Sequence, residues 1–443
     1  MLKVDLALVG GEVLSMADAG TLPEATVLIS GQHIVAIGGA NELPSYEALR
    51  TLDVSDKLVM PGFSNCHTHI GSNILLRGLN EDAKLFEWLQ SMWRLKQSFD
   101  AQTLELASLA GLAEMALAGI TSFNEHFDAY SVSPEIEALN KIPLRATLGY
   151  GFADIGLYSD VKDWSYKALD AFGDIVAQHH ESMHGRLRVA LSPHATYSCT
   201  EALWRRCNAV AERFDLSIHT HLSEGQQEHH YVQDTHGKTP TKWLQSLGVL
   251  SERVTAAHCT TLTDEDIACL AEARVKVAHC PVSNAKLCSG IMPIQKLLDA
   301  GVTVGLATDG PASHNTLDMF QEMKFGAITH KNHHLDPELL PVGDVLELAT
   351  REAAKAMHLD DAGTIEVGKL ADLIVVDLNK PHCAPRYDAK SALVYSSRAD
   401  DVVHTIVDGR VVVEDGVLQG IDLPGMLAEL RSRASALRHR SGV

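Results

Sequence analysis

Eight short apolar runs constrain the fold of this chain most, because helical stretches separate them along roughly residues 61–355. Regular alternation of strands and helices is typical of a parallel sheet joined by helical crossovers. Eight such strands close into a (β/α)₈ TIM-type barrel, so we predict that α/β fold. The runs are LVMPGFSNCH, ITSFNEH, LRATLGYG, LRVALSPHA, LSIHTHLSE, VTAAHC, VKVAHCP and VTVGLATDG.

The two ends of the chain share a different texture, with short strand-like segments punctuated by glycine. VDLALVGG, ATVLISG and HIVAIGG stand near the start, and VVHTIVDGRVVVEDG stands near the far end. We predict that residues 1–60 and 356–425 form one small discontinuous β-sandwich domain. The barrel then spans 61–355, and 426–443 form a C-terminal helix or tail.

The barrel runs end in polar residues, although a strand buried in a parallel sheet should be apolar throughout. In a barrel the carboxyl ends of all strands project to one face, where active sites are built. We therefore expect an active site on this face. The side chains at the ends are His67, His69, Glu125, His126, His194, His219, His221, Glu224, His258, His279 and Asp309.

Four of these side chains form a candidate metal site. His67 and His69 stand two residues apart, so in a strand both imidazoles point to the same face. His221 supplies a third nitrogen ligand, and Asp309 supplies a carboxylate. Three histidines and an aspartate, with an open position for water, suit one Zn²⁺ and would also accept Fe²⁺.

His219 is a rival for His221, because these two histidines also form an H-x-H pair. We favour His221, since Glu224 then follows three residues later, beyond the strand end. Glu224 is the candidate general acid and base, which would move a proton from water to a ring nitrogen. The alternative is a carboxylate on a surface loop. His258 would contact the nucleophile, unless it is an ordinary strand histidine.

Three further histidines are less specific. His194, in SPHATY, is expected to contact substrate rather than metal. For His126 and His279 a structural role in the barrel is at least as well supported as a functional one.

Composition excludes several classes of partner. The formal net charge is −20 and no Lys/Arg run occurs, so nucleic acid and anionic membranes are not expected partners. The first residues lack a basic region followed by a long apolar one, and no stretch approaches 18 apolar residues, so we expect neither a signal peptide nor a transmembrane helix. None of the eight cysteines forms a C-x-x-C pair. We expect a cytoplasmic enzyme for a small molecule. Zinc deaminases of the cytidine type need a P-C-x-x-C motif, which this chain lacks.

Taken together, these residues resemble the amidohydrolase superfamily, in its deaminase and chlorohydrolase branch. The resemblance covers nearly the whole chain, and the matching segments occur in the family's order. They are PGFSNCHTH (61–69), LLRG (75–78), EWL (87–89), AGITS (118–122), SPHATYS (192–198), HTHLSE (219–224), AHC (257–259), VSNAKLCSG (282–290), ATDGPASHNTLDMFQEM (307–323) and GTIEVGKLADLIVVD (363–377).

The resemblance implies hydrolytic deamination of an amino-substituted nitrogen heterocycle. It assigns Glu224 as the proton shuttle and His258 as the residue that orients the nucleophile. A single metal is implied, because strand four ends in SPHA and not in the lysine that bridges two metals in binuclear members. Members often form homodimers. The implied metal ligands are His67, His69, His221 and Asp309.

Two substrate classes fit the resemblance. SPHATYS, VSNAKLCSG and TDGPAS look like 5′-methylthioadenosine/S-adenosylhomocysteine deaminases. FNEH (123–126) and EMKF (322–325) look more like s-triazine hydrolases such as melamine deaminase and atrazine chlorohydrolase. The first reading predicts a 5′-modified adenosine such as 5′-methylthioadenosine as substrate. The alternative is deamination or dechlorination of s-triazines, or deamination of aminopyrimidines or pterins.

The expected substrate contacts are Gln97, His194 and Tyr150. In the adenosine-type deaminases a glutamate nine residues after the tryptophan of EWL holds the ribose diol, and Gln97 stands there. Some members that accept S-adenosylhomocysteine place an arginine where Tyr150 stands here. A carboxylate desolvated without a cation is costly. We therefore predict that S-adenosylhomocysteine is a poorer substrate than uncharged 5′-modified adenosines.

Overall fold

The computed structural model describes residues 1–127 and 132–441, and within them the strands form two sheets. In chain order the strands are β1 (Leu2–Leu14), β2 (Thr21–Ser30), β3 (His33–Gly38), β4 (Tyr46–Asp53), β5 (Leu58–Pro61), β6 (Phe63–Thr68), β7 (Ile120–Phe127), β8 (Arg145–Phe152), β9 (Leu187–Pro193), β10 (Ile218–Leu222), β11 (Val254–His258), β12 (Lys276–His279), β13 (Val304–Leu306), β14 (Leu373–Val376), β15 (Val402–Val407), β16 (Arg410–Glu414) and β17 (Val417–Leu418).

Helices follow most of the barrel strands and cover the outside of the barrel. Three short 3₁₀ segments lie at Ile74–Leu76, Gly156–Val161 and Ala399–Asp401. The α-helices are α1 (Ile70–Asn73), α2 (Leu85–Lys96), α3 (Ala101–Leu117), α4 (Ser133–Lys141), α5 (Lys162–Asp170), α6 (Phe172–His179), α7 (Glu201–Phe214), α8 (Gln226–His236), α9 (Pro240–Leu247), α10 (Asp264–Glu272), α11 (Pro281–Lys286), α12 (Ile294–Asp299), α13 (Met319–His334), α14 (Val342–Ala349), α15 (Arg351–Ala356), α16 (Ala389–Tyr395) and α17 (Leu423–Ser441).

Strands β6 to β13 form an eight-stranded sheet in which every hydrogen-bonded pair is parallel and neighbours in space are neighbours in the chain. The first and last strands meet at their carboxyl ends. There the Asp309 N–H donates to the His67 carbonyl over 3.0 Å, and the Asn65 side chain donates to the Thr308 hydroxyl over 2.7 Å. The predicted (β/α)₈ barrel is confirmed.

The first apolar run differs from the prediction, because it is divided between the two sheets. Leu58–Pro61 forms β5 in the terminal sheet, and the barrel strand β6 begins only at Phe63. Gly62 lies between them. A Cβ atom at Gly62 would lie 2.2 Å from the Thr121 side chain, so only glycine lets the chain pass so close to β7.

Both ends of the chain contribute to the second sheet, a mixed sheet of nine strands. Its first strand, β1, changes partner along its length. Leu2–Val9 pairs with β4, and Glu12–Val13 pairs with β5. The change follows Gly10, whose φ of +83° lies in the left-handed region that favours glycine. The domain boundaries given above remain our proposal: β5 extends to Pro61, and α17 begins at Leu423.

The largest hydrophobic core lies between the barrel strands and their helices, and smaller apolar clusters line the terminal sheet. A buried ion-pair network joins the two units, since Arg145 of β8 contacts both Asp372 and Asp408 of the terminal sheet region. Among the described residues no helix combines the length and apolar character needed to cross a membrane.

Candidate active site

The four predicted ligands meet at the carboxyl ends of the barrel strands. The Nε2 atoms of His69 and His221 lie 3.2 Å apart, and Asp309 Oδ1 lies 3.4 Å from Nε2 of both His67 and His69. Ligand atoms about 2.0–2.1 Å from a tetrahedral zinc ion lie about 3.3 Å from one another. The spacing of these side chains therefore fits one ion of that size.

The Nδ1 atom of each of these three histidines contacts a protein group on the side away from the cluster. Nδ1 of His69 contacts the His126 carbonyl at 2.7 Å, and Nδ1 of His221 contacts the His194 carbonyl at 2.8 Å. Nδ1 of His67 lies 2.8 Å from Nε2 of His219. His219 thus stands behind His67, while His221 is the member of this H-x-H pair that lies in the cluster.

Burial favours the neutral form of two histidines of the cluster, and the neutral imidazole is the form that binds a metal. Burial lowers the pKa of His67 to about 3 and lowers the pKa of His221 well below its ordinary value. Nε2 of His67 is buried and has no hydrogen-bond partner among the described residues. A buried, unpaired lone pair beside a carboxylate fits a cation.

Two serines hold the carboxylate of Asp309. Ser283 donates to Oδ2 over 2.6 Å and Ser313 over 2.9 Å, so Oδ1 is the oxygen that faces His67 and His69. Asp309 itself has a φ of +59°, in the left-handed region, and the Gly310 N–H donates to its Oδ1 over 2.6 Å. This turn aims the carboxylate into the barrel.

His258 lies next to the cluster, at the end of β11. One ring nitrogen of His258, one of His67 and one of His221 all lie within 4.8 Å of one another. Nδ1 of His258 lies 2.9 Å from Oδ1 of Asn284, so the remaining nitrogen is the one that can face the reacting atoms. Asn284 follows Ser283 directly. The VSNAK segment therefore holds both Asp309 and His258.

Glu224 is buried beside these groups, and burial raises the pKa of its carboxyl group, although the nearby His258 partly offsets this. A carboxyl group with a raised pKa accepts a proton more readily than an ordinary glutamate, which suits a group that must take up a proton and deliver it. Glu224 lines a cavity of about 520 Å³ that is partly open to solvent and is also lined by three of the four predicted ligands, His69, His221 and Asp309.

Aromatic and apolar side chains form the walls of this cavity. Trp93 contacts Tyr158 with a ring-centroid distance of 4.9 Å, and Tyr158 contacts His194 at 4.6 Å. Trp88, Leu89 and Met92 of α2 complete this side. Flat apolar walls with polar groups at one end suit a small heterocycle.

Of the three residues expected to contact substrate, one lines the cavity and two lie outside its described lining. His194 lines the cavity. Gln97 is exposed and donates to Asp160 over 2.7 Å, and it is not among the described residues that line the cavity. Tyr150 packs against Phe172, with ring centroids 5.4 Å apart, and also lies outside the lining.

Lys96 lines the cavity, whereas counting nine residues from Trp88 in the sequence predicted that Gln97 would do so. Successive residues of a helix point about 100° apart, so a difference of one position changes which side chain faces the cavity. The sequence count of nine from Trp88 ended just beyond the last residue of α2, Lys96.

The remaining strand-end histidines have structural contacts. His126 supplies the carbonyl that holds His69. His279 lies 2.8 Å, Nε2 to Nε2, from His330 of α13, and burial lowers the pKa of both. Sequence reasoning missed Ser283, Asn284 and Ser313. They lie inside quoted motifs, but no spacing rule showed what they contact.

A barrel that gathers three histidines, an aspartate and a buried glutamate at the carboxyl ends of its strands is typical of metal-dependent hydrolases. The chain belongs to the Amidohydrolase family, whose model matches residues 58–412. The family predicted from the sequence motifs is confirmed.

Curated relatives match this chain almost from end to end. The 5′-deoxyadenosine deaminase of Methanothermobacter thermautotrophicus is 38% identical over 418 residues, which cover 94% of this chain and 95% of the relative. The 5-methylthioadenosine/S-adenosylhomocysteine deaminase of Nitratidesulfovibrio vulgaris is 37% identical over 438 residues, which cover 97% and 96%.

Solved structures of the same shape contain zinc. An adenosine deaminase from Xanthomonas campestris with bound zinc matches with a TM-score of 0.93 and 30% identity, covering 99% of both chains. An atrazine chlorohydrolase from Arthrobacter aurescens complexed with zinc matches with a TM-score of 0.89 and 25% identity, covering 97% of this chain and 100% of that one.

Proposed function

We propose that this protein hydrolytically deaminates a 5′-modified adenosine, such as 5′-methylthioadenosine or 5′-deoxyadenosine. The observation that carries the proposal is Glu224, a buried carboxyl group with a raised pKa, in an aromatic-walled cavity beside the His and Asp cluster. The names of the two curated relatives support the same substrate class.

We propose that His67, His69, His221 and Asp309 hold one divalent ion, either Zn²⁺ or Fe²⁺. Their spacing, the lowered pKa values of His67 and His221 and the lone pair of His67 support this assignment. When bound, such an ion acts as a Lewis acid that makes water a nucleophile near neutral pH. Zinc is favoured, because the structural neighbours contain it.

The chain's own residues then handle the protons of the reaction. Substrate and one water molecule give the 6-oxo product and ammonia, so a proton must move from water to a ring nitrogen and another to the leaving amine. Glu224 is placed to accept the first proton and deliver it. The Nδ1 contact of His258 with Asn284 fixes the orientation of that imidazole, which positions the water molecule.

A screen for ammonia release tests this proposal. Purified protein loaded with Zn²⁺ should release ammonia from 5′-methylthioadenosine or 5′-deoxyadenosine, and a chelator should abolish the activity. The screen should include adenosine, aminopyrimidines, pterins and melamine. Activity confined to melamine or the pterins would overturn the adenosine assignment while leaving the aminohydrolase class intact.

The alternative substrate class is the s-triazines. It is favoured by the FNEH and EMKF segments and by the likeness to the atrazine chlorohydrolase structure. Incubation with atrazine separates the two chemistries, because dechlorination releases chloride and deamination releases ammonia. Chloride release without ammonia release from any substrate would overturn the proposed deamination.

A comparison of two adenosine derivatives tests the charge preference of the cavity. We predict a lower kcat/KM for S-adenosylhomocysteine than for 5′-methylthioadenosine, because no arginine meets its carboxylate at the end of β8. Among the described residues that line the cavity, Lys96 is the one lysine or arginine. Equal values for the two substrates would contradict the prediction, and Lys96→Met would then show whether this lysine binds the carboxylate.

A further inference from the structure

Glu228 is a buried carboxylate that stands outside the cavity, one helical turn after Glu224. It is 2% exposed, on the first turn of α8. Its Oε2 accepts the backbone N–H of Glu224 over 2.8 Å, and its Oε1 accepts the hydroxyl of Thr196. Glu228 therefore joins the turn that carries Glu224 to the loop that follows β9.

Thr196 belongs to a loop that already serves the site. Two residues earlier, the carbonyl of His194 holds Nδ1 of His221, and the next residue, Tyr197, lines the cavity. Glu228 thus contacts two of the segments that surround the substrate space.

The turn at Ser223 and Glu224 is held from the opposite side as well. Ser223 is a non-glycine residue with a φ of +51°, a conformation that needs support from its surroundings. The N–H groups of Thr260 and Thr261 donate to the Ser223 carbonyl over 2.9 and 3.1 Å. The Thr260 hydroxyl donates to the Glu224 carbonyl over 2.6 Å. With Glu228 on its N–H, the backbone of Glu224 is fixed at both ends.

Helix capping does not explain this contact. In a capping box a glutamate at the third helical position accepts the N–H of the N-cap residue, which for α8 is Gly225. Glu228 occupies that third position, but it accepts the N–H of Glu224, one residue before the cap. Its carboxylate therefore binds the turn that carries Glu224 and does not cap the N-terminus of α8.

We propose that Glu228 is a positioning residue, which fixes the backbone of Glu224 and couples it to the Thr196 loop so that the proton shuttle points at the substrate. This inference rests on the proposed function. Burial raises the pKa of Glu228 to about 7, although its contacts with Thr196 and the Glu224 N–H oppose this. Burial of such a carboxyl group costs free energy unless hydrogen bonds within the protein replace the ones it would make with water.

The first test replaces this carboxylate with an amide. Glu228→Gln can accept only one of the two donors, so we expect kcat to fall about 10–100-fold, as for other residues that hold a catalytic side chain. KM and bound metal should stay within about twofold, because neither the cavity walls nor the ligands change. Asp234→Asn makes the same replacement at an exposed position of α8 and should retain full activity.

A double variant shows whether Glu228 acts through Glu224. If it does, Glu224→Gln/Glu228→Gln will be no slower than Glu224→Gln alone, since the shuttle is already lost. Losses that multiply in the double variant would mean that Glu228 supports the enzyme by another route, and would overturn the inference.

Thr196→Val is the second variant, for the case in which Glu228→Gln does not fold. It removes only the hydroxyl that holds Oε1, and it should also lower kcat without additional loss in the Glu224→Gln background. Normal kcat in Thr196→Val, or in a folded Glu228→Gln enzyme, overturns the inference. By contrast, a Glu224→Gln enzyme with normal kcat overturns the proposed function itself.

Discussion

At the scale of single residues, the site depends on which nitrogen of each imidazole is already occupied. Nδ1 of His67, His69 and His221 each contacts a group behind the site, so the three Nε2 atoms share one space. Such outer contacts fix the tautomer and the orientation of a metal ligand. The same principle explains why His219 and His221, two residues apart on β10, take different roles.

Substitutions of these two histidines should have unequal effects. We predict that His221→Ala abolishes metal binding, because a ligand is lost, whereas His219→Ala weakens it by about 10–100-fold, because only the contact behind His67 is lost. Titration of the apoprotein with Zn²⁺ against a competing chelator measures both affinities. His230→Ala, at an exposed position of α8, is the control. A greater loss from His219→Ala than from His221→Ala would contradict the assignment.

Removal of the charge of Glu224 should separate metal binding from catalysis. In Glu224→Gln the amide cannot accept a proton from water, so we predict a fall in kcat of about 10²–10⁴-fold. Metal content by elemental analysis should match the parent protein, since Glu224 is not in the ligand set. His258→Asn should be nearly as slow, also with its metal retained. Loss of the metal from Glu224→Gln would show that it is a ligand and not a shuttle.

At the scale of elements, the barrel strands pack closely enough to fix where their ends lie. A Cβ atom at Gly149 of β8 would lie 2.0 Å from Oγ of Ser192 and 2.6 Å from the backbone oxygen of Glu125. The Glu125 oxygen belongs to β7, one residue before the His126 carbonyl that holds His69. The close packing at Gly149 therefore helps to set the position of His69, one of the proposed ligands.

Gly149→Ala should disturb both stability and the site. Because backbone must shift to admit the methyl group, we expect the free energy of unfolding to fall by about 1–3 kcal/mol. The affinity for Zn²⁺ should fall with it, because the end of β7 moves. Urea denaturation and metal titration measure the two effects. Gly343→Ala, where the nearest atom lies 4.0 Å from the added Cβ, should lower neither.

At the scale of the whole molecule, one buried ion-pair network ties the barrel to the terminal sheet. Arg145 Nε lies 2.7 Å from Asp372, and its Nη2 lies 3.2 Å from Asp408. All three residues are buried. Arg145 is the first residue of β8, at the end of the barrel opposite the site. The network therefore concerns stability and not catalysis.

Removal of the Asp372 carboxylate, one partner of Arg145, should destabilise the protein without slowing the reaction. Asp372→Ala leaves the buried Arg145 with one carboxylate fewer, so we predict a loss of about 3 kcal/mol in the free energy of unfolding. The kcat of the folded variant should equal that of the parent. Glu201→Ala breaks an exposed pair with Arg205 and should cost less than about 1 kcal/mol in urea denaturation. Equal losses from the two variants would contradict the prediction.

The sequence by itself determined the barrel and the face that carries the site. Apolar periodicity reports which segments are buried strands, and the carboxyl ends of parallel strands must share one face. His67, Glu224, His258 and Asp309 could therefore be placed near one another before any contact was known. The H-x-H spacing also placed His67 and His69 on one side of a strand, because side chains alternate along it.

Only the tertiary structure decided how the loops meet. It showed that His219 stands behind His67, while His221, which the sequence favoured, lies in the cluster, and it placed Lys96 rather than Gln97 at the cavity. It also revealed that Asn284 and Glu228 hold the catalytic candidates. These contacts join segments that are distant in the chain, and a shift of one residue turns a side chain by about 100° on a helix or to the opposite face of a strand. Local sequence patterns do not determine the distances between such segments, because these distances depend on how the strands and loops pack.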